Sequence, residues 1–537
     1  MGISEPLPIS SIQPLFQVKT ADTDMLARLQ TYTLLGIDAM SVDCEVDISS
    51  AAMPKTILVG LPDTAVKEST HRVERAIVNS GFTKPQERVV INLAPGDLPK
   101  QASSFDLPVA LGVLAASGQI SMQGIDRYVV AGELSLEGLT RPIKGVLSMA
   151  IEAKRSSNKC GFIVPRTNAF EASVVEGLNV IPVDSLAQAA AFLSGEIELD
   201  AAPTRIGSIF KEFGDYDVDY SDVRGQESAK RAMIIAAAGF HNLLMLGPPG
   251  SGKTMLAKRM PTILPALQAC ESIETTRIYS VLGQLPINQP LLATRPFRSP
   301  HHTISNAGLV GGGNPPAPGE ISKAHHGVLF LDEIPEFNRK TLEVMRQPLE
   351  EHSVTISRAL RSTQFPADFM LIAAANPCPC GYRSDERKTC HCTPHQIQNY
   401  IGRISGPLLD RIDVQIDVPA VTYDELEVVQ TEGLSSESMR RSVSTARKIQ
   451  IDRFRETSTR YNSQMTSPQI RHYCKLNKHC RQLLRHSVET LGLSARAHDK
   501  IIRLSRTIAD LEGKSEITEQ HIAEAIGYRT LDRDQQP

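Results

Sequence analysis

The sequence predicts a multidomain α/β protein, on three observations. The chain has 537 residues, too many for one compact core, and its length suggests two to four domains. Between residues 25 and 200, short runs of β-branched and apolar residues alternate with segments of helical period. Further on, the apolar run NLLMLG leads into the glycine-rich GPPGSGKT at 247–254 and then into another helical segment, a strand–loop–helix order.

In the first region, 41–49 (SVDCEVDIS), 55–60 (KTILVG) and 88–94 (RVVINLA) read as strands, and CGFIVP (160–165) and NVIPV (179–183) add two more. Residues 64–81 carry apolar positions at helical spacing and stop on Gly81; 107–118 reads as a buried helix stopping on Gly118. Residues 1–24 look like an extension without sustained period. Charged residues, Pro203, Gly207 and Gly214 interrupt the pattern at about 196–217, which reads as a linker. Beyond it SAKRAMIIAAAGFH is a helix, and from about 422 the chain is polar and mostly helical. The expected domains are therefore an extension (1–24), an α/β N-domain (25–200), a nucleotide-binding core (201–421) and a helical C-terminal domain (422–537).

Composition narrows the classes. Hydrophobic residues make up 41% and charged residues 22%, as in soluble globular proteins. Tryptophan is absent and aromatic residues are only 5%, which argues against base stacking as a mode of nucleic-acid contact. No apolar run approaches bilayer-spanning length, and the N-terminus lacks the basic-then-apolar order of a secretion signal. A cytoplasmic protein with no membrane partner is expected, its nine cysteines reduced, metal-bound or buried. Net charge is only −3, yet residues 440–506 hold 16 Lys or Arg against 4 Asp or Glu. That excess is either a solvated helical face or a surface for phosphates.

GxxxxGK[ST] at 247–254 fits ATP. Gly247, Gly250 and Gly252, with Pro248, Pro249 and Ser251 between them, let the backbone wrap phosphates with N–H groups inward. Lys253 is placed for the β and γ phosphates, Thr254 for Mg²⁺, and the next helix turns its positive end to the same anion. GVLFLDEIPEF (327–337) is an apolar strand ending in Asp332, suited to Mg²⁺, and Glu333, suited to orienting the attacking water. LIAAANPCPCG (371–381) is another, ending in Asn376, which can position that water from the side. The order is Walker A, Walker B, sensor 1. This order resembles that of AAA+ ATPases, and within 405–418 Arg411 stands where AAA+ proteins carry a trans-acting arginine finger, unless it pairs with Asp410 or Asp413. Arg496 opens a later helix as a sensor 2 would, unless it is a surface arginine. A finger requires a ring, so an oligomer, a hexamer, is expected.

Cys378, Cys380, Cys390 and Cys392 form C-x-C-x₉-C-x-C, four soft ligands for a closed zinc site or, alternatively, unliganded thiols or an iron–sulfur cluster; His391 is a replacement ligand. The pairs His301/His302 and His325/His326 read as loop or core histidines. SVTISRALRSTQFPADF (353–369) reads as a hairpin about a basic turn bearing Arg358 and Arg361, and 294–320 as a glycine- and proline-rich insertion.

Together these motifs resemble the magnesium chelatase-like branch of AAA+ ATPases, in particular the YifB/ComM family. Its characteristic strings are MLARLQTYTLLGIDA, VGLPDTAVKEST, NLAPGDLPKQASSFDLPVALGVLAASGQI, AGELSLEGLTRPIKGVL, DVRGQESAKRA, FRSPHHTIS and SGPLLDRID. The resemblance implies a Lon-protease-like (ribosomal S5 domain 2-like) N-domain, an AAA+ P-loop core and a helical lid. It aligns Ser104 with the Lon nucleophile, but Leu147 stands where the lysine base belongs and Lys144 lies three residues early, so proteolysis is not expected. It implies pore-facing Arg358 and Arg361, a pore-facing 294–320 loop, and a helicase that drives branch migration on single-stranded or branched DNA in recombination or transformation. A metal-chelatase motor subunit and a protein-remodelling ATPase are the alternative activities.

Overall fold

The computed structural model describes residues 26–529 except 51–52, 61–62, 101–102, 122–123, 157–158, 205, 287–288, 358–361, 384–387, 422–433 and 492–493. The extension at 1–24, the boundary at 421/422, Arg358 and Arg361 therefore lie outside the described residues.

The first sheet has seven strands in the order Lys55–Val59, Arg88–Ala94, Asp38–Ser49, Leu26–Leu35, Tyr128–Val130, Gly161–Pro165, Val180–Val183. Leu26–Leu35 and Asp38–Ser49 form an antiparallel hairpin, turned at Gly36 with φ 65°. Alternation explains its fit: Ala27, Leu29, Val42, Cys44 and Val46 are buried in one core with the helices Thr64–Asn79 and Asp106–Ala116. Asp106 is fully buried and accepts two hydrogen bonds from Arg72, at 2.6 and 3.0 Å. Burial pushes its carboxyl above the ordinary value against the pull of Arg72.

The second sheet has five parallel strands in the order Phe297–Arg298, Val328–Leu331, Met370–Ala375, Leu243–Leu246, Val414–Asp417. Its three central strands are buried at every position and read as continuous apolar runs, as expected for a sheet covered on both faces. Helices Glu227–Gly239 and Lys253–Ile263 share one core with the C-terminal helices Ser436–Arg453 and Ala495–Leu511. No helix among the described residues is long and apolar enough to cross a membrane.

Two sequence expectations change and a third is met. The stretch read as a linker contains the helix Ile206–Phe213, whose Ile206, Ile209, Phe210 and Phe213 form a stripe packed with Leu147, Val174 and Leu291. Gly207 lies within the helix, between Ile206 and Ile209, and Gly214 follows its end, so neither interrupts the stripe. The insertion expected at 294–320 begins inside the central sheet, because Phe297–Arg298 is its edge strand; the remainder carries a short helix, Asn306–Val310, and a two-stranded turn, Gly311–Gly312 with Ala317–Pro318. The hairpin at 353–369 forms as Ser353–Ser357 with Ser362–Pro366.

The two α/β layers touch through side chains. Arg277, on helix Ala269–Leu282, binds Asp38 at 2.6 Å and Ile37 O at 3.0 Å, and the Gly145 amide donates to Ser280 O at 3.0 Å. The turn at Gly36 lies against Thr363 and Phe365 of the second hairpin.

Candidate nucleotide site

Three parallel strands of the second sheet deliver their C-terminal ends to one place. Leu243–Leu246 runs into the loop 247–252, Val328–Leu331 into Asp332 and Glu333, and Met370–Ala375 into Asn376. In open α/β sheets this edge is where ligands bind. Gly247 has no room for a side chain, since a Cβ there would lie 2.2 Å from Val418 O on the next strand. Gly252 precedes helix Lys253–Ile263 at φ 91°, a conformation other residues rarely adopt.

Lys253 Nζ donates to Gly247 O at 2.8 Å, Pro248 O at 2.9 Å and Asn376 Oδ1 at 3.4 Å. Burial lowers its pKa, opposed by Asp332 and Glu333. The Thr254 hydroxyl donates to Asp332 Oδ2 at 2.8 Å, which puts a hydroxyl and a carboxylate, both hard oxygen donors, side by side as Mg²⁺ requires. Glu333 N donates to Asp332 Oδ1 at 3.0 Å, and Glu333 itself is exposed with φ 51°. A non-glycine residue in the left-handed region is a strained conformation that concentrates at functional sites. Lys253 with Asn376 and Thr254 with Asp332 thus form two hydrogen-bonded pairs, with Glu333 beside Asp332.

Arg411 and Arg496 are elsewhere. Arg411 O accepts from Asn242 Nδ2 at 2.9 Å, and Asn242 precedes the strand whose other end is the P-loop. A four-residue strand separates the two ends by about 13 Å. Both arginines line one pocket of about 400 Å³ with Glu350, Asp410, Lys500 and Arg503. Arg411 is ion-paired with Glu350, not with Asp410 or Asp413. Arg496 reaches Asp410 at 3.3 Å and is itself largely exposed. Within one chain, neither arginine shares the pocket of Lys253.

The four cysteine sulfurs lie within 4.8 Å of one another. Cys378 Sγ is 3.3 Å from Cys380 and 3.7 Å from Cys390, and Cys380 is 3.6 Å from Cys390. Tetrahedral zinc with ~2.3 Å bonds sets sulfurs about 3.8 Å apart, so the donor set fits. His391 is exposed. Gly381 follows Cys380, and a Cβ there would be 2.7 Å from Pro249 Cδ, so the cysteine loop rests on the P-loop. Sequence reasoning tied this loop only to Asn376.

The histidine pairs divide. His301 and His302 stack at 4.0 Å, with His301 exposed. His325 and His326 are buried about Glu274, which lies 2.9 Å from His326 Nε2 and 3.6 Å from His325 Nε2. His325 Nδ1 accepts the Asp368 amide, which puts the proton on Nε2, facing Glu274. That geometry makes the group a hydrogen-bonded cluster rather than metal ligands.

In the first α/β layer Ser104 Oγ is buried with no hydrogen-bond partner, and the stem of Lys144 lies against Gly283 of the second layer. Leu147 is fully buried among apolar side chains.

Family models for magnesium chelatase match three stretches: subunit ChlI at residues 219–426, subunit ChlI of Mg-chelatase at 44–168, and the ChlI C-terminal region at 433–529. The competence protein ComM of Haemophilus influenzae is 43% identical over 510 residues, spanning 95% of this chain and 98% of that protein. The chain belongs to the magnesium chelatase-like YifB/ComM family. YifB of Escherichia coli, 41% identical over 508 residues, covers 95% of the chain and 98% of its own length. Lon protease 2 of Bacillus subtilis is similar over a shorter stretch, 28% identical over 186 residues, or 30% of this chain and 33% of that protein. The YifB/ComM membership carries the AAA+ Mg-chelatase-like assignment for the five-stranded sheet and its loops.

Proposed function

We propose that this YifB/ComM protein is a ring-forming ATPase, a hexamer, that couples ATP hydrolysis to DNA translocation and drives branch migration. The observation that carries it is the split site: Lys253, Thr254, Asp332 and Asn376 converge at one end of the sheet while Arg411 and Arg496 line a separate pocket at the other. Such a chain completes its site only against a neighbouring copy. Lys253 and the loop amides would hold the phosphates, Thr254 and Asp332 the Mg²⁺, Glu333 the attacking water and Asn376 its flank. Mg²⁺ neutralises the charge that builds between the β and γ phosphates. Arg411 and Arg496 would reach the nucleotide of the next subunit. The cysteine loop would hold a structural zinc that fixes Asn376 and Pro249.

Residues 25–200 are read as a Lon-protease-like module without protease activity, 201–421 as the AAA+ core and 422–537 as the lid. Similarity to a Lon protease supports the first, and Lys144, committed to Gly283, supports the loss of activity. Two things support DNA as partner: kinship with a protein named for competence, the state in which cells take up DNA, and the basic stretch 440–506. The family models describe chelatase subunits, which keeps metal insertion as the second reading.

ATP turnover measured with single-stranded and four-way-junction DNA tests the choice. DNA should stimulate turnover, and the protein should move the junction with Lys253→Ala inactive. If neither DNA form binds in the presence of Mg²⁺–ATP at moderate salt, DNA is not the substrate.

A further inference from the structure

We propose that Arg503 is a third cation of the subunit interface, binding the phosphates of the nucleotide held in a neighbouring copy's P-loop; the proposal rests on the reading of Arg411 as acting in trans. Four basic side chains of this chain line the pocket of Arg411: Arg411 itself, Arg496, Lys500 and Arg503. Three are paired with carboxylates of the same chain. Arg411 is held by Glu350, Arg496 by Asp410 at 3.3 Å, and Lys500 by Asp413 at 3.1 Å. The remaining carboxylate of the pocket, Asp499, faces His498 at 3.1 Å. Among the described residues Arg503 has no carboxylate at ion-pair distance, and its buried Nε has no hydrogen-bond partner.

Leaving a buried guanidinium N–H unsatisfied is costly, and the cost is relieved by a ligand that accepts from it. A ligand that brings its own negative charge satisfies it, because Glu350, Asp410 and Asp413 are already paired with other cations. A phosphate group meets that need, since the planar guanidinium fork matches its oxygens bidentately.

Placement agrees. Arg496 and Arg503 are seven residues apart on helix Ala495–Leu511, so they share one face about 10 Å apart along the axis. Lys500 lies between them and anchors that helix to the segment bearing Arg411, through Ile412 O at 3.1 Å and Asp413. The three guanidiniums are therefore presented by two elements fixed to each other, and a polyphosphate entering the pocket meets all of them.

The test mixes full-length variants and reads ATP turnover. Arg503→Ala alone should lose about ten- to a hundredfold, the value of a hydrogen bond to a charged group, with Arg503→Lys losing less. Mixed with Lys253→Ala, whose outward face is intact, Arg503→Ala should regain turnover. Mixed with Arg411→Ala, which is defective on the same face, it should not. The proposal is overturned by wild-type turnover in Arg503→Ala, by rescue of Arg411→Ala but not Arg503→Ala with Lys253→Ala, or by loss of nucleotide-free assembly in Arg503→Ala, which would place an acidic side chain of the neighbour there instead. Failure of Arg411→Ala itself to be rescued by Lys253→Ala refutes the trans reading, and Arg503 falls with it.

Discussion

Asp332 serves two neighbours at once: one carboxylate oxygen accepts from the Thr254 hydroxyl, the other from the Glu333 amide. That double tie sets the orientation of both Asp332 oxygens, the proposed Mg²⁺ ligands, together with the conformation of Glu333. Asp332→Asn should therefore keep nucleotide binding but lose at least about a hundredfold in Mg²⁺-dependent turnover, the scale on which a transition-state charge contact is worth; equilibrium binding and steady-state turnover separate the two. The residues on this side of the site were legible in sequence because each lies on the loop or helix start that follows a short buried strand, and parallel strands bring their ends together. The partners on the other side were not. Glu350 and Arg411 are 61 positions apart, and Asp410 and Arg496 are 86 apart, with no local pattern linking them.

Between elements, the decisive contact is the buried join of the core to the C-terminal helices. Asp413 Oδ1 is 3.1 Å from Lys500 Nζ, and Asp413 Oδ2 is 3.1 Å from His241 Nδ1; His241 Nε2 continues to the Thr507 hydroxyl at 2.8 Å. Burial pushes the Asp413 carboxyl up, but Lys500 and His241 outweigh it and hold its pKa well below the ordinary value. A depressed carboxyl contributes stability that is present above its unfolded pKa, about 3.9, and is lost as pH falls towards the folded value. The melting temperature of the wild type should fall below about pH 4. Asp413→Asn should flatten that limb and, by leaving Lys500 buried and unpaired, cost about 3–5 kcal/mol at neutral pH. An unchanged melting temperature at pH 7 would show that the join carries little.

The cysteine loop acts at the same scale. Cys390→Ser, or metal removal by a chelator, should weaken nucleotide binding through Pro249 and Asn376, with zinc content falling in parallel. Zinc-free protein that binds ATP normally would separate the two. Elements of strong period were readable in sequence. Helix Ile206–Phe213 was not, because its apolar stripe is only four residues and gains meaning from Leu147 and Leu291, far away in the chain. Strand Leu26–Leu35 was equally hidden until paired along its whole length with Asp38–Ser49.

Across the molecule, the two α/β layers are tied through Arg277, Asp38 and Ser280, and the Gly36 turn presses on the hairpin 353–366. The first layer thus braces the hairpin of Ser353–Ser357 and Ser362–Pro366. No single stretch of sequence announces this, since it joins residues more than 300 positions apart. The same holds for the P-loop and Arg411, which occupy opposite ends of one sheet; on the proposed reading, turnover becomes a property of the assembly. The direct measurement is ATP turnover per subunit across a range of protein concentrations, with the assembled fraction followed by sedimentation. Turnover should rise with the assembled fraction and be negligible in the monomer. Equal turnover in monomer and assembly would contradict a site completed between subunits.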